Sequence, residues 1–329
     1  MNGPVLITGG TGFIGAHVVR RLASAAVPVR IFARTPDPLD RALRGTVEIA
    51  RGDLRDAAAL RRAVAGTRAV VHLAACTRAV SRDPHEFHDV NVAATGVLLD
   101  AACAAGVERF VHVSTILALP PFAPAALSGP ATVLTPYEAT KMEAERRVAG
   151  AAARGLHAVI VRPTRVFGPG PLNDANSVTR IVALYLDGRF RTRLADGGVL
   201  ANYVHADDVA QGILLALEHG ARGAAYVLGG DNVTFAQLLD LIGEVAGTRR
   251  RVVAVPPAVA LALGHAAELW GTLGGTAPLT RGWLRTFLED RRADTTPARE
   301  ALGYRPRSLR DGLTETVDWL RGRHLRSAA

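Results

Sequence analysis

The stretch "PVLITGGTGFIG", residues 4–15, decides the fold. Its first half is a short apolar run of the kind that forms a strand buried on both faces. Its second half sets Gly9, Gly12 and Gly15 at three-residue intervals, at the entrance to the helical run "GFIGAHVVRRLASA". Gly9 permits a tight turn, Gly12 lets the backbone approach a pyrophosphate, and Gly15 lets the helix sit close to the sheet. Thr11, Phe13 and Ile14 lie in the same turn and join them as candidate dinucleotide contacts. The helix start offers free N–H groups and the positive end of its dipole to phosphates. A plain strand-to-helix turn has no use for three spaced glycines.

Downstream, the apolar runs "VRIFAR", "VEIARGDL", "AVVHLAA", "RFVHVST" and "HAVIVRP" alternate with helical segments such as "DAAALRRAVAG", a long helix near 89–106 and another over 135–153. Short buried strands separated by helices read as βαβ units. The expected fold is α/β: a Rossmann-type doubly wound parallel sheet with a smaller, mostly helical C-terminal substrate lobe. Past residue 165 the pattern loosens, with Gly and Pro clustered in "FGPGPL" (167–172). Residues 1–169 are assigned to the dinucleotide-binding domain, with 202–229 returning to it, and 170–201 and 230–329 to the lobe. Within the returning part, "NYVHADDVAQGILLALEHG" (202–220) is expected to start at a turn and continue as a helix. The apolar stretch 256–275 reads as a buried helix lining the lobe. It carries His265 and Glu268, begins with two prolines and falls short of an uninterrupted membrane span of ~20 residues.

Composition narrows the function. The 329 residues carry a net charge of +9, but the arginines are scattered and aromatics make up only 5%, so no nucleic-acid stripe forms. The charge instead favours anionic cofactors or substrates. Two cysteines, Cys76 and Cys103, are too few for a disulfide framework or a four-ligand zinc site, and no metal is expected. The first apolar run leads straight into the glycine turn rather than to a cleavage site, which argues against a signal peptide and for a cytoplasmic protein.

The cofactor is read from the next strand ends. An acidic residue after the second strand would hold the ribose 2′-hydroxyl of NAD; "IFARTP" places Arg34 there, which suits a 2′-phosphate. NADP(H) is therefore favoured over NAD(H). Asp53 and Leu54 of "GDL" are placed beside the adenine, and Leu73, Ala74 and Ala75 of "HLAA" where the backbone passes the cofactor closely.

A second stretch carries the chemistry. "TPYEATK", residues 135–141, ends in Lys141, the only lysine in a chain whose other 38 of 39 basic residues are arginine. Thr135, Pro136 and Glu138 are the N-cap, first helical residue and capping-box partner of a helix. Tyr137 and Lys141 then stand four residues apart on one face. A phenol with an ordinary pKa of about 10 is a poor acid or base at neutral pH unless a cation lowers it. A lysine ammonium can do that, hold ribose hydroxyls and take part in a proton relay; arginine does not release its proton.

With these residues in view, the chain resembles the extended short-chain dehydrogenases/reductases of the NAD-dependent epimerase/dehydratase superfamily, from residue 3 to about residue 322. The likeness rests on the glycine turn, "GDL", "HLAA", Asn91 in "VNVAATG", "HVST", Tyr137-x-x-x-Lys141, "RPTRVFGPG", "NYVHADDVA" and the closing "LGYRPRSLRDGLTETVDWL". The resemblance implies that Tyr137 is the general acid/base and that Lys141 orients the ribose and lowers the tyrosine pKa. It also implies a Ser or Thr after the fifth strand that binds the substrate oxygen, here Thr115, with Ser114 in reserve. Pro163 and Val166 fall at the nicotinamide end, and a homodimer through the helices at 91–106 and 135–153 is implied.

Three activities fit this scaffold: a ketone reductase or secondary alcohol dehydrogenase, a nucleotide-sugar epimerase or dehydratase that retains its cofactor, and a non-catalytic cofactor-binding protein. Nucleotide-sugar members carry an Arg ahead of "YVH" to hold a diphosphate; this chain has Ala201 and Asn202 there. Dehydratases add an acidic residue beside the Ser/Thr, and residues 114–119 have none. The apolar 117–127 and 256–273 stretches suit a partly apolar small-molecule substrate, and the intact Tyr–Lys pair argues against a non-catalytic role. Arg78, Ser81 and Arg165 are further candidates for substrate contact. Cys76 reads as a small buried thiol, and His85, His88 and His205 lack metal-ligand spacing.

Overall fold

The computed structural model describes residues 3–35, 46–77, 83–121, 135–195, 198–256, 258–259, 262 and 288–328. Arg78, Ser81 and most of the 117–127 and 256–275 stretches lie outside the described residues.

The first strands are β1 (Val5–Thr8), β2 (Val29–Ala33), β3 (Glu48–Arg51), β4 (Ala69–His72), β5 (Arg109–Val113) and β6 (Ala158–Pro163). Then come β7 (Arg165–Phe167), β8 (Thr192–Leu194), β9 (Leu200–His205), β10 (Ala225–Leu228), β11 (Asp231–Thr234) and β12 (Val253–Val255). The helices are α1 (Phe13–Ser24), α2 (Ala57–Val64), α3 (Glu86–His88), α4 (Ala94–Ala104), α5 (Pro136–Ala153), α6 (Ser177–Leu186), α7 (Ala206–His219) and α8 (Phe235–Ala246). Two more, α9 (Thr296–Leu302) and α10 (Leu309–Ala328), close the chain.

Seven strands form one parallel sheet in the order β10-β6-β5-β4-β1-β2-β3. The order reverses beside β1, the switch point of a doubly wound sheet, where a crevice opens at the carboxyl ends of the strands. One face is covered by α1, α7 and α9, with Val18, Val19, Val209 and Ile213 in the core; the other by α2, α4 and α5, with Leu60, Leu98, Leu99 and Val148. These strands read as continuous apolar runs because both faces are buried. A third core joins α6, α8 and α10 to the three-stranded sheet β11-β9-β7.

The C-terminal part is helical, as expected, but holds more strand than its sequence advertised. Asn202–His205 is not a turn: it belongs to β9, which pairs parallel with β7 and antiparallel with β11 before α7 begins. These pairings join strands distant in sequence, which local pattern does not reveal.

Candidate active site

A cavity of about 370 Å³ opens over the glycine turn. Gly9 has φ +72, and a Cβ there would lie 2.7 Å from Ala74 N. A Cβ at Gly15 would come within 2.0 Å of Gly9 O, so the helix meets the turn as closely as backbone allows. No side chain caps α1 at Gly12, and Thr11, Gly12, Ala74 and Ala75 line the cavity. A phosphate-bearing dinucleotide fits this cradle of backbone and small side chains. Phe13, Gly15 and Leu73 build the turn from behind rather than lining it.

Arg34, Asp53 and Leu54 line the far end of the same cavity. Asp53 is already engaged: Arg55 donates from its backbone N at 2.9 Å and from Nε at 3.1 Å, both to Oδ1. These bonds hold the Asp53 carboxyl below its usual range, and the nearby Arg34 charge adds to the effect. Arg55, which the sequence analysis did not single out, thus competes with a ligand for Asp53.

The second cavity, about 330 Å³, brings together Ser114, Thr115, Tyr137, Pro163, Val166 and Ile14. The Thr135 hydroxyl caps α5 by accepting from Glu138 N, and Glu138 accepts from Thr135 N at 2.8 Å. This capping box starts the helix one residue before Tyr137. Thr115 stands beside Tyr137 and interacts with its phenol, and the Thr115 hydroxyl accepts from Leu117 N at 3.3 Å. Ser114 Oγ is buried with no partner among the described residues. Burial pushes the Tyr137 phenol up to about 12, the Thr115 hydrogen bond pulls it back, and Cys76 pushes it further up.

Lys141 is 2% exposed, and its Nζ donates to Val113 O at 2.8 Å and meets His112 Nε2 at 3.2 Å. Burial lowers its pKa from the ordinary 10.5 to about 7, against the pull of Glu145. The Tyr137 phenol thus stands above, not below, its ordinary value, while the Lys141 ammonium faces the end of β5. Asn91 sits in the π turn Asp89–Ala93 between α3 and α4. Its amide accepts from Cys76 N at 2.7 Å and donates to Cys76 O and Thr140 Oγ1, tying the end of the fourth-strand loop to α5.

Sequence reasoning missed Arg291. Its backbone N donates to Leu200 O, and it forms an isolated parallel bridge with Ala201, so it enters this second cavity beside Ala201 and Asn202. Its guanidinium donates from Nε and Nη2 to Glu289 Oε2 at 3.0 and 2.6 Å, from Nη2 to Glu138 Oε1 at 3.4 Å, and from Nη1 to Leu119 O at 2.7 Å. Both glutamates are fully buried. Asn202 is likewise committed, to Thr164, Gly230 and Asn232. Arg165 reaches the cavity with its guanidinium 5.8 Å from the centre of the Tyr203 ring.

Residues 5–229 match the model of the NAD dependent epimerase/dehydratase family. The chain belongs to this family. It is 32% identical to sterol demethylase protein B of Methylococcus capsulatus, over 97% of this chain and 98% of that one. It is 31% identical to a 4-hydroxy-2-methyl-3-oxo-4-farnesyl-3,4-dihydroquinoline-1-oxide ketoreductase of Stigmatella aurantiaca, over 91% and 90%. Among solved structures, the UDP-glucose 4-epimerase of Thermotoga maritima superposes with a TM-score of 0.78 at 26% identity, over 98% of this chain and 99% of that one. The family's relatives are NAD(P)-dependent reductases and dehydratases, so this chain is an enzyme of the extended short-chain dehydrogenase/reductase type. No helix among the described residues is long and apolar enough to cross a membrane, and no metal-binding cluster occurs among them.

Proposed function

We propose that the protein is an NADP(H)-dependent ketone reductase, or secondary alcohol dehydrogenase, for a small and partly apolar substrate held between the sheet and the lobe formed by 170–201 and 230–329. One observation carries the choice over a nucleotide-sugar enzyme. The buried Arg291 in this cavity is held by two carboxylates, Glu138 and Glu289, so its charge is already engaged and not free to hold a diphosphate. The rest of the wall is largely apolar, including Ile116, Val178, Ile181 and Phe235. The farnesyl-bearing substrate named for the Stigmatella relative is of that character.

When bound, the cofactor supplies or takes a hydride at its nicotinamide ring. Tyr137 holds a proton at neutral pH, because burial keeps the phenol up, and donates it to the carbonyl oxygen during reduction. Thr115 hydrogen-bonds the same oxygen and orients the phenol. Lys141 is the cation at the foot of the site. Pro163, Val166 and Ile14 exclude water from the reacting face.

The test is NADPH consumption across a panel of ketones with aliphatic and ring-bearing substituents, run beside UDP-glucose. Tyr137→Phe is expected to lower turnover by ~10²–10⁴-fold while NADPH binding persists. Stoichiometric NAD⁺ released on denaturation, together with epimerised UDP-sugar, would overturn the reading.

A further inference from the structure

We propose that His112 is a positioning residue whose Nε2 accepts a hydrogen bond from the Lys141 ammonium and holds that cation in place. The proposal rests on the reading of Lys141 as the site cation and adds a residue that neither the family likeness nor the sequence motifs assign.

An ammonium has three donors and no acceptor. Val113 O at 2.8 Å takes one and His112 Nε2 at 3.2 Å a second, which leaves the third for the site. While Nζ is charged it only donates, so Nε2 is then the bare nitrogen and the imidazole proton sits on Nδ1. That Nδ1 is buried with no hydrogen-bond partner among the described residues. A proton arriving at this ring therefore has no onward path, and the ring orients Lys141 rather than passing its proton on. An orphaned buried donor also costs stability, so an apolar residue at this strand position would fold better.

The neighbouring imidazole cannot take over this role. His72 stands in register with His112 across β4 and β5, with ring centres 5.4 Å apart. Its Nε2 lies 3.0 Å from Thr95 Oγ1, whose own proton goes to Asn91 O, so His72 Nε2 is the donor. Its Nδ1 accepts from Thr8 Oγ1 at 2.6 Å, and both nitrogens are spent. Among the described residues the titratable groups whose charges bear on or respond to Lys141 are His112 from β5, His72 from β4, and Glu145 on α5, which is itself clamped by Arg162 of β6 at 2.9 and 2.7 Å; Tyr137 stands one turn earlier on α5. Burial and the Lys141 charge keep both imidazoles well below the ordinary histidine range, so His112 stays a neutral acceptor.

The chain offers an unusual test, because Lys141 is its only lysine. Protein grown with ¹³Cε-labelled lysine gives one side-chain NMR resonance, whose pH titration reports Lys141 directly. The wild-type midpoint is expected near 7. His112→Leu and His112→Met, which remove the acceptor, should lower it by about one pH unit or more. His112→Gln, whose amide oxygen reaches the place of Nε2, should stay close to wild type. An unfolded chain titrates near ~10.4, so loss of fold moves the signal the opposite way and is recognised. If both apolar variants unfold, His112→Gln against His112→Asn decides: the shorter amide reaches only the place of Nδ1 and should lower the midpoint. Folded apolar variants with the wild-type midpoint, or equal Gln and Asn midpoints, overturn the proposal. No ketone or cofactor enters the measurement, so its result stands apart from whether the protein proves to be a reductase.

Discussion

Among the described residues two cations are buried around the candidate active site, and α5 touches both. Lys141 lies on the helix itself; Arg291 reaches Glu138, three residues earlier, from the C-terminal part. Arg291 is neutralised by two carboxylates and a carbonyl, and its fork braces the Leu119 carbonyl against the catalytic helix. Among the described residues Lys141 meets a carbonyl and an imidazole, while Glu145, the carboxylate that acts on it, is bound to Arg162. A matched charge is fixed in place and holds the architecture. An unmatched one is unstable in its charged form, which is the condition for a group that responds to what binds beside it.

The largest effect follows from that instability. The Lys141 pKa is lowered, so below about pH 7 both folded and unfolded chains hold the proton and the full cost of burying the ammonium is present. Between about 7 and the unfolded value of ~10.4 only the unfolded chain remains protonated, and stability rises with pH. Lys141→Met removes this dependence. Relative to wild type it should be more stable at pH 6 than at pH 10 by on the order of 4 kcal/mol, with activity lost throughout. Denaturant melts of both proteins at the two pH values measure it, and parallel pH curves would erase the contrast with Arg291. At Arg291 the expectation is reversed. Arg291→Met removes the cation that faces two buried carboxylates and should cost roughly 3–5 kcal/mol at neutral pH, while adding Glu138→Gln and Glu289→Gln recovers most of it. A single variant that melts like wild type would mean the arginine matches nothing.

The same contrast shows what the sequence could reveal. The glycine turn was legible because its demands are local: Gly9 sits at φ +72, and Gly15 leaves no room for a Cβ. Tyr137 and Lys141 were legible because four residues make one helical turn and Thr135–Glu138 marks its start. Arg291 was not, because its partner Glu138 lies 153 residues away and only the fold brings them together. His112 was hidden for another reason. It stands inside an apolar strand, and which face it takes depends on its register with His72 and on where α5 lands. The Asp53–Arg55 pair is local yet not legible, because many arginines stand near Asp53 in sequence and only the folded turn shows that Arg55 claims it.

Arg34 gives the smallest effect and extends the comparison to an exposed cation. It stands at the cavity rim, where water screens its charge, so under the proposed NADP(H) reading its value lies in a specific hydrogen-bonded contact with a 2′-phosphate rather than in burial. Arg34→Ala should weaken NADPH binding by roughly tenfold and leave NADH nearly unchanged. Arg55 cannot substitute while it is bound to Asp53. Arg55→Ala, by contrast, releases the Asp53 carboxylate, which repels a 2′-phosphate and accepts from ribose hydroxyls, so the preference should move toward NADH. Fluorescence titrations with both cofactors separate the two variants. An NADPH preference that survives Arg34→Ala would place the selectivity in contacts beyond this pair.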